Sequence, residues 1–476
     1  RDLRMSRGLG DVYKRQHHNR PFNFAFVKNN EKTRRKMKEK TILFSLLFAA
    51  GTTHASAVNI AENNEEHSEK QEQIAKPSRF TIGGYGEAVY SRNFYSDNYL
   101  RYQGQNVEKY KDQKHSRFDL PHVVLFLGYD FGKGWTLGTE IEFEHGGTES
   151  AVEIETEEGG EYESEIERGG EVALEQFWIQ KSFCPQLNLR LGHIIIPVGA
   201  TNQHHMPTEF FGVYRPEGEN TILPCTWHET GISLWGQAGD WRYEAILVPG
   251  LDSDRFGRQN WIKDGAGSPY EFKIGNNIAG AFRIDNFSVP GLRMSVSGYI
   301  GNSFKNTLSS TESAQYKDVK GTVSIGAFDF AYNAHNWIIR GNFDYGHLSD
   351  SRLISQYNAN MSKNSVSKKQ GIASDAVAIG LEAGYNLFSQ IEKLNAKQQK
   401  LYLFSRYDYY DSMYKTDAAI QDYQWCGRHR IAAGINYFPI KDIVLKGEYS
   451  IGLLKSQYNN EPSISLGVAY AGFFSR

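Results

Sequence analysis

Apolar and polar residues alternate with a period of two along much of the chain beyond residue 79. In the stretch 135–144, WTLGTEIEFE, Trp135, Leu137, Ile141 and Phe143 share one face, and Thr136, Gly138, Glu140, Glu142 and Glu144 share the other. In 443–453, Ile443, Leu445, Tyr449, Ile451 and Leu453 oppose Lys446, Glu448 and Ser450. In 187–192, Leu187, Leu189 and Leu191 alternate with Asn188, Arg190 and Gly192. Such a period predicts β-strands with two chemically distinct faces. A charge on the inner face of a soluble sandwich costs several kcal/mol unless it is paired. Charges that recur on one face of many strands therefore imply a wet interior and an apolar exterior, the pattern of a transmembrane barrel.

Sixteen strands are predicted, starting near Phe80, Phe118, Trp135, Val172, Leu187, Thr230, Trp241, Asn277, Leu292, Val323, Trp337, Asp375, Leu401, Arg428, Ile443 and Ser463. Short turns such as DFGKG, CPQ, AGD, NAHN and PIKD alternate with long polar connections at 94–116, 250–275 and 348–372. That alternation predicts an antiparallel all-β barrel with short periplasmic turns and long extracellular loops. One link on the short side, SQIEKLNAKQQK, is longer than expected there. An even strand count returns both ends of the barrel to one side, and closure removes edges that lipid could not satisfy. Sixteen strands also enclose more space than their own side chains fill, which predicts an aqueous lumen. Trp135, Trp178, Trp241, Trp337, Tyr437 and Phe438 fall at strand ends, where interfacial aromatic girdles are expected.

The ends of the chain read differently. Met37 opens a secretory signal pattern over 37–57, with Lys38 and Lys40, the apolar run TILFSLLFAA, and Ala55-Ser56-Ala57 as the cleavage site. The apolar run is too short to span a bilayer. Residues 1–36 precede this start and resemble translated sequencing-adapter read-through, a genuine extension being the alternative. Residues 58–78 are polar and charged, and read as a solvated periplasmic segment or a short assembly helix. The barrel is assigned to 79–476.

Composition narrows the function. Residues 1–57 hold 13 of the 53 basic and 4 of the 55 acidic residues, leaving 40 basic against 51 acidic and a net charge near −11. A nucleic-acid partner is not expected from that balance. Cys184, Cys225 and Cys426 are odd in number and widely spaced, so isolated thiols are favoured over one bridged pair, and no zinc site is suggested. The His204-His205 pair cannot direct both rings to one helix face, and the acidic run 153–167 lacks calcium-loop spacing. No nucleophile elbow is present. His193, His335 and His429 lie near strands, but no serine partner can be assigned to them. Neither an enzyme nor a cofactor or metal site is expected.

The segment between the fifth and sixth strands carries the most specific signal. In LRLGHIIIPVGATNQHHMPTEFFGVYRPEGENTILPCTWHETGISLWG, Tyr214-Arg215-Pro216 and Trp227-His228-Glu229-Thr230-Gly231 follow a Pro-Val-Gly strand exit. This stretch resembles the phosphate-selective porin O/P family of Bacteroidetes-type outer membranes. The resemblance implies a sixteen-stranded barrel in a Gram-negative outer membrane, a homotrimer with its third long loop folded into the channel, and anions such as phosphate among its solutes. It puts Arg215, Glu217, Glu219, His204, His205 and Glu209 on the constriction loop. Arg190, Arg242, Arg340, Glu140 and Glu142 are the corresponding wall positions, and Tyr214, Pro216, Trp227, His228 and Glu229 form the family motif. The mixture of Glu and Arg predicts a transverse field across a constriction. The expected function is passive diffusion of small hydrophilic solutes or inorganic ions across the lipid bilayer. A surface-binding barrel with a blocked lumen is the alternative, and an outer-membrane enzyme comes third.

Overall fold

Each alternating segment becomes a strand in the computed structural model, which describes residues 79–475 apart from 151–152, 155–163, 166–167, 268–271, 307–313 and 362–368. The strands are β1 (Phe80–Asn93), β2 (His115–Asp119 continued by His122–Gly132), β3 (Trp135–Ser150), β4 (Arg168–Cys184), β5 (Leu187–Ile195), β6 (His228–Ala238), β7 (Trp241–Pro249) and β8 (Ile278–Val289). They continue as β9 (Leu292–Asn302), β10 (Thr322–Ala334), β11 (Trp337–Leu348), β12 (Asp375–Asn386), β13 (Lys400–Lys415), β14 (Gly427–Ile440), β15 (Ile443–Leu453) and β16 (Ser463–Ser475). The two halves of β2 both pair with β1, and the ladder breaks at Leu120-Pro121, where proline has no N–H to donate. Every consecutive pair is antiparallel, and β1 pairs with β16 from Ile82–Ser475 to Asn93–Ser463. The sheet is a closed sixteen-stranded antiparallel barrel.

Burial confirms the two faces. Along β7, Trp241, Tyr243, Ala245 and Leu247 are exposed on the outside, while Arg242, Glu244, Ile246 and Val248 are buried within. Leu247, Ile300, Leu403, Leu381 and Leu466 stand more than half exposed on the outer wall. An apolar belt of that kind is a surface for lipid, not for water. No helix of the described residues is long and apolar enough to cross a membrane. The tight turns have the backbone expected of two-residue hairpins: Lys133-Gly134 and His335-Asn336 both take positive φ at both positions. The longer link between β12 and β13 holds a helical turn, Glu392–Ala396, and the flanking strands pair in full, from Asn386–Tyr402 upward.

The girdle expectation divides. Phe131, Trp135, Phe183, Trp241 and Trp337 are exposed at the short-turn end. Trp178, by contrast, is 2% exposed and faces inward, with the Arg190 guanidinium 4.7 Å from its ring centroid. Gly138 on the neighbouring strand makes room for it, since a Cβ there would overlap the indole. Phe438 packs against the inner cluster of Phe211, Tyr402 and Phe404. Both were expected outside; strand-end position alone does not say which side of the sheet a ring faces.

The long connections, expected as polar loops, build an apolar cap over one end of the barrel. Leu251, Phe256, Trp261 and Ile262 between β7 and β8 are fully buried, and Ile354 and Tyr357 from the helix Ser351–Met361 join the same core. Tyr102 stacks face to face on Trp425, with centroids 4.7 Å apart, and the guanidinium groups of Arg101 and Arg428 sit against the Tyr102 ring. The Tyr102 hydroxyl donates to Glu461. The acidic run at 153–167 lies almost wholly outside the described residues. Cys184, Cys225 and Cys426 are free thiols.

Candidate functional site

Residues 196–227, joining β5 to β6, leave the wall and fold into the barrel. The two ends are tied together, Ile196 N–H donating to Trp227 O at 2.8 Å and Trp227 N–H to Asn202 Oδ1 at 2.9 Å. Ile196, Val198, Ile222, Leu223 and Trp227 are buried with Ile246, Val248 and Tyr299 of the wall, which fixes the base of the loop by apolar contact. Gly199 sits at φ +79°, where a side chain would be strained and would strike Glu219. Glu219 is itself buried and accepts from the backbone N–H groups of Ala200 (3.0 Å) and Thr201 (2.9 Å). It therefore staples the loop rather than facing solute. Pro216 stands at the N-cap of the short helix Glu217–Ile222.

From this base the loop reaches across to the far wall. Phe211 stacks on Phe404 of β13, ring centroids 5.2 Å apart and nearly parallel, in a slot left open by Gly384 of β12. Lys446 of β15 donates to the carbonyls of Phe210 (3.0 Å) and Gly212 (2.6 Å), and Glu448 accepts from Val213 N–H at 3.0 Å. Glu217 accepts from the Tyr410 hydroxyl at 2.7 Å and pairs with Arg430 of β14 at 3.0 Å. On the near side Arg215 donates to His205 O and to the Tyr85 hydroxyl of β1, both at 3.3 Å. Backbone and side-chain contacts thus hold the tip against strands on opposite sides of the lumen.

The wall charges are organised as two ladders. One runs from Arg190 through Glu244, Arg242, Asp285, Arg283 and Asp329 to Arg293, with Arg242–Glu244 at 2.6 Å and Arg283–Asp329 at 2.8 Å. The other joins Arg340, Glu382, Arg406 and Asp408, with Arg340–Glu382 at 2.6 Å and Arg406–Asp408 at 2.6 Å. Arg190 and Arg242 are each 5% exposed and paired within the ladder, so they neutralise wall carboxylates rather than face an open channel. Arg340 keeps a quarter of its side chain exposed, beside His204 and Glu209, which also retain about a quarter and pair at 3.3 Å. His204 further contacts Arg293. With Glu217, a little over a third exposed, and the partly exposed Arg215, these are the expected loop and wall residues that keep solvent contact.

A third arrangement lies on β3 and β4. Glu140, Glu142 and Glu175 all point inward and are buried. Glu142 accepts from His122 Nδ1 at 2.5 Å, and His205 Nε2 is 3.9 Å from Glu140. The motif residues are spread over several roles. Tyr214 lies under the Arg117 guanidinium, Glu229 pairs with Lys273 at 3.0 Å, and His228 Nδ1 meets His193 Nε2 at 2.6 Å. Trp227 is a core residue.

Sequence reasoning missed Arg283, Asp285, Asp329, Arg406, Asp408 and Glu175. The first five sit on the polar face of alternating strands, in FRID, FDFA and SRYDYY, so the period-two signal could have found them. Glu175 could not be found that way. A bulge between β3 and β4 opposite Glu140 and Ile141 turns two consecutive residues, Glu175 and Gln176, to the inside.

No family model matches the chain. A protein of Aquifex aeolicus (strain VF5) described as uncharacterized is 27% identical over 390 residues, covering 80% of this chain and 77% of that one. Among solved structures, OmpF of Salmonella typhi in complex with daunomycin is similar at a TM-score of 0.49 and 9% identity, over 82% of this chain and 97% of OmpF. An anion-selective porin from Comamonas acidovorans is similar at 0.46 and 12% identity, over 83% and 99%. The outer membrane channel DcaP of Acinetobacter baumannii is similar at 0.46 and 12% identity, over the same shares. The closed ladder of strands, not these distant likenesses, defines the fold.

Proposed function

We propose that the protein is an outer-membrane porin of a Gram-negative bacterium, passing small hydrophilic solutes or ions by passive diffusion through a constriction built by residues 196–227. The single observation that carries this reading is the loop itself, held inside an apolar-belted barrel by charged and aromatic contacts to opposite walls. The solvent-touching charges on the loop and the wall beside it are of both signs, Glu217 and Glu209 with Arg215, His204 and Arg340, so the filter is one of mixed charge with weak selectivity. Phosphate or another anion is one cargo such a filter admits, and the comparison with an anion-selective porin is consistent with it without arguing for it. A homotrimer is the assembly we infer from the sequence resemblance. The test is conductance of the purified, heat-modifiable protein in a planar bilayer, followed by reversal potential in a salt gradient. Stepwise ion conductance with a modest reversal potential is expected. Absence of steps refutes the channel, and strong cation preference removes phosphate as cargo.

A further inference from the structure

The inward face of β3 and β4 holds carboxylates that the ion-pair ladders do not reach. Glu140 and Glu175 are both 0% exposed, and each uses one oxygen locally: Gln176 Nε2 donates to Glu140 Oε2, and the Thr226 hydroxyl donates to Glu175 Oε1. The other oxygen of each, Glu140 Oε1 and Glu175 Oε2, accepts from no nitrogen or hydroxyl donor, and the Glu142 carboxyl adjoins that of Glu175. A buried carboxylate oxygen left in that state is costly. Arg215, whose charge acts on this wall, donates to His205 O and the Tyr85 hydroxyl rather than to either carboxylate.

His205 completes the set from the loop side. Its Nδ1 faces Asn202 O at 3.0 Å, a carbonyl that can only accept, so that nitrogen carries the proton. Nε2 is then free to present a lone pair, and it faces the unpartnered Glu140 Oε1 at 3.9 Å. A histidine oriented by an Nδ1–H bond to a backbone carbonyl is the arrangement that prepares an imidazole for metal ligation. The gap of 3.9 Å is too long for a hydrogen bond. It lies within the span of two ligands that each stand about 2.0–2.2 Å from one ion. One ligand atom from each of Glu140, Glu175 and His205 lies within 4.8 Å of the others.

We propose that Glu140, Glu175 and His205 form a binding site for a divalent transition-metal ion of the zinc class, which fastens the lumen loop to strands β3 and β4. Two carboxylates and one imidazole suit such an ion by charge and donor type. The ion would satisfy both orphaned oxygens and compensate the surplus negative charge on this wall. Because His205 belongs to the loop and the carboxylates to the barrel, binding would stiffen the constriction from the side opposite Phe211. The competing account, which requires no metal, is an imidazolium on His205 paired with Glu140 and a proton shared between the adjoining carboxyls of Glu175 and Glu142.

The experiment uses the refolded, chelator-washed full barrel with zinc chloride as probe. Metal content after desalting and the temperature at which the heat-modifiable gel band converts are both read. The expected result is one zinc per chain and a raised conversion temperature. His205→Gln, a loop substitution that leaves the wall intact, should weaken binding about tenfold or more, and Glu140→Gln with Glu175→Gln should abolish it. Each variant is first shown to be folded by its heat-modifiable mobility. Should Glu140→Gln with Glu175→Gln not fold, Glu175→Gln alone serves in its place. No stoichiometric zinc in the wild type, or equal binding in His205→Gln, would overturn the proposal. Neither outcome touches the channel reading, which is tested by conductance.

Discussion

The two walls between which the loop is held solve the same electrostatic problem in opposite ways. On the β11–β15 side, Asp344 apart, which keeps only the Asn342 amide, the buried carboxylates meet a guanidinium or a backbone N–H: Glu382 with Arg340 and Arg406, Asp408 with Arg406, Glu448 with Val213 N–H. On the β2–β4 side Glu140, Glu142 and Glu175 share two histidines and one arginine that bonds elsewhere. The first wall is internally compensated, and the second leaves negative charge over. The loop bridges them, with carbonyls and Glu217 offered to the cationic wall and Arg215 and His205 to the acidic one. Its composition, which looks merely mixed in sequence, is sorted by side.

That contrast makes predictions of opposite sign. Arg406→Met strands Asp408, leaving Glu382 to Arg340 alone, and should cost about 3–5 kcal/mol, because breaking a buried pair leaves an uncompensated charge; a conversion temperature unchanged from wild type would show that this wall is not held by its ladder. Gly384→Val fills the slot under Phe211 and should cost about 1–3 kcal/mol by overpacking, with larger conductance steps as the tip is displaced. Steps of wild-type size would mean that Phe211 does not anchor the loop. On the acidic wall, Glu142→Gln removes one of several crowded like charges and should shift stability by less than about 1 kcal/mol, toward higher stability. A loss as large as that of Arg406→Met would erase the distinction between the walls.

The smallest effect concerns the rim. Burial opposes ionisation of Glu461, but Arg428 and Arg101 outweigh it and hold its carboxyl down at about 2, below its ordinary 4.5. A depressed carboxyl stabilises the folded state above its unfolded value and loses that contribution as pH falls. The cap around Tyr102 and Trp425 should therefore keep constant stability down to about pH 4.5 and weaken from there toward about pH 2. Tryptophan fluorescence during acid titration follows it, and Glu461→Gln should flatten that limb of the curve. An unchanged limb would free Glu461 of the role.

Much of the barrel is legible in the sequence because period-two alternation is a local signal. The starts expected at Phe80, Trp135, Leu187, Trp241, Leu292, Trp337, Asp375, Ile443 and Ser463 coincide with the strands, and the long β12–β13 link still closes a hairpin. What stays hidden depends on register or on tertiary packing. Which arginine meets which carboxylate follows from strand pairing, so Arg190 and Arg242 look channel-facing in sequence yet are buried in a ladder. The bulge at Glu175-Gln176 breaks alternation within VALEQFWI without any glycine or proline to mark it. The cap is hidden for a further reason: Leu251, Phe256, Trp261 and Ile262 have no period, and only their packing together reveals a core.

The central claim is that residues 196–227 set the width of an aqueous path. Its most direct test compares single-channel conductance of the wild type with a variant in which 204–213 is replaced by a short Gly-Ser link. Discrete steps in the wild type, and steps about two-fold or more larger in the shortened protein, are predicted if the loop forms the constriction. Equal steps in both proteins, or no steps in either, would contradict it.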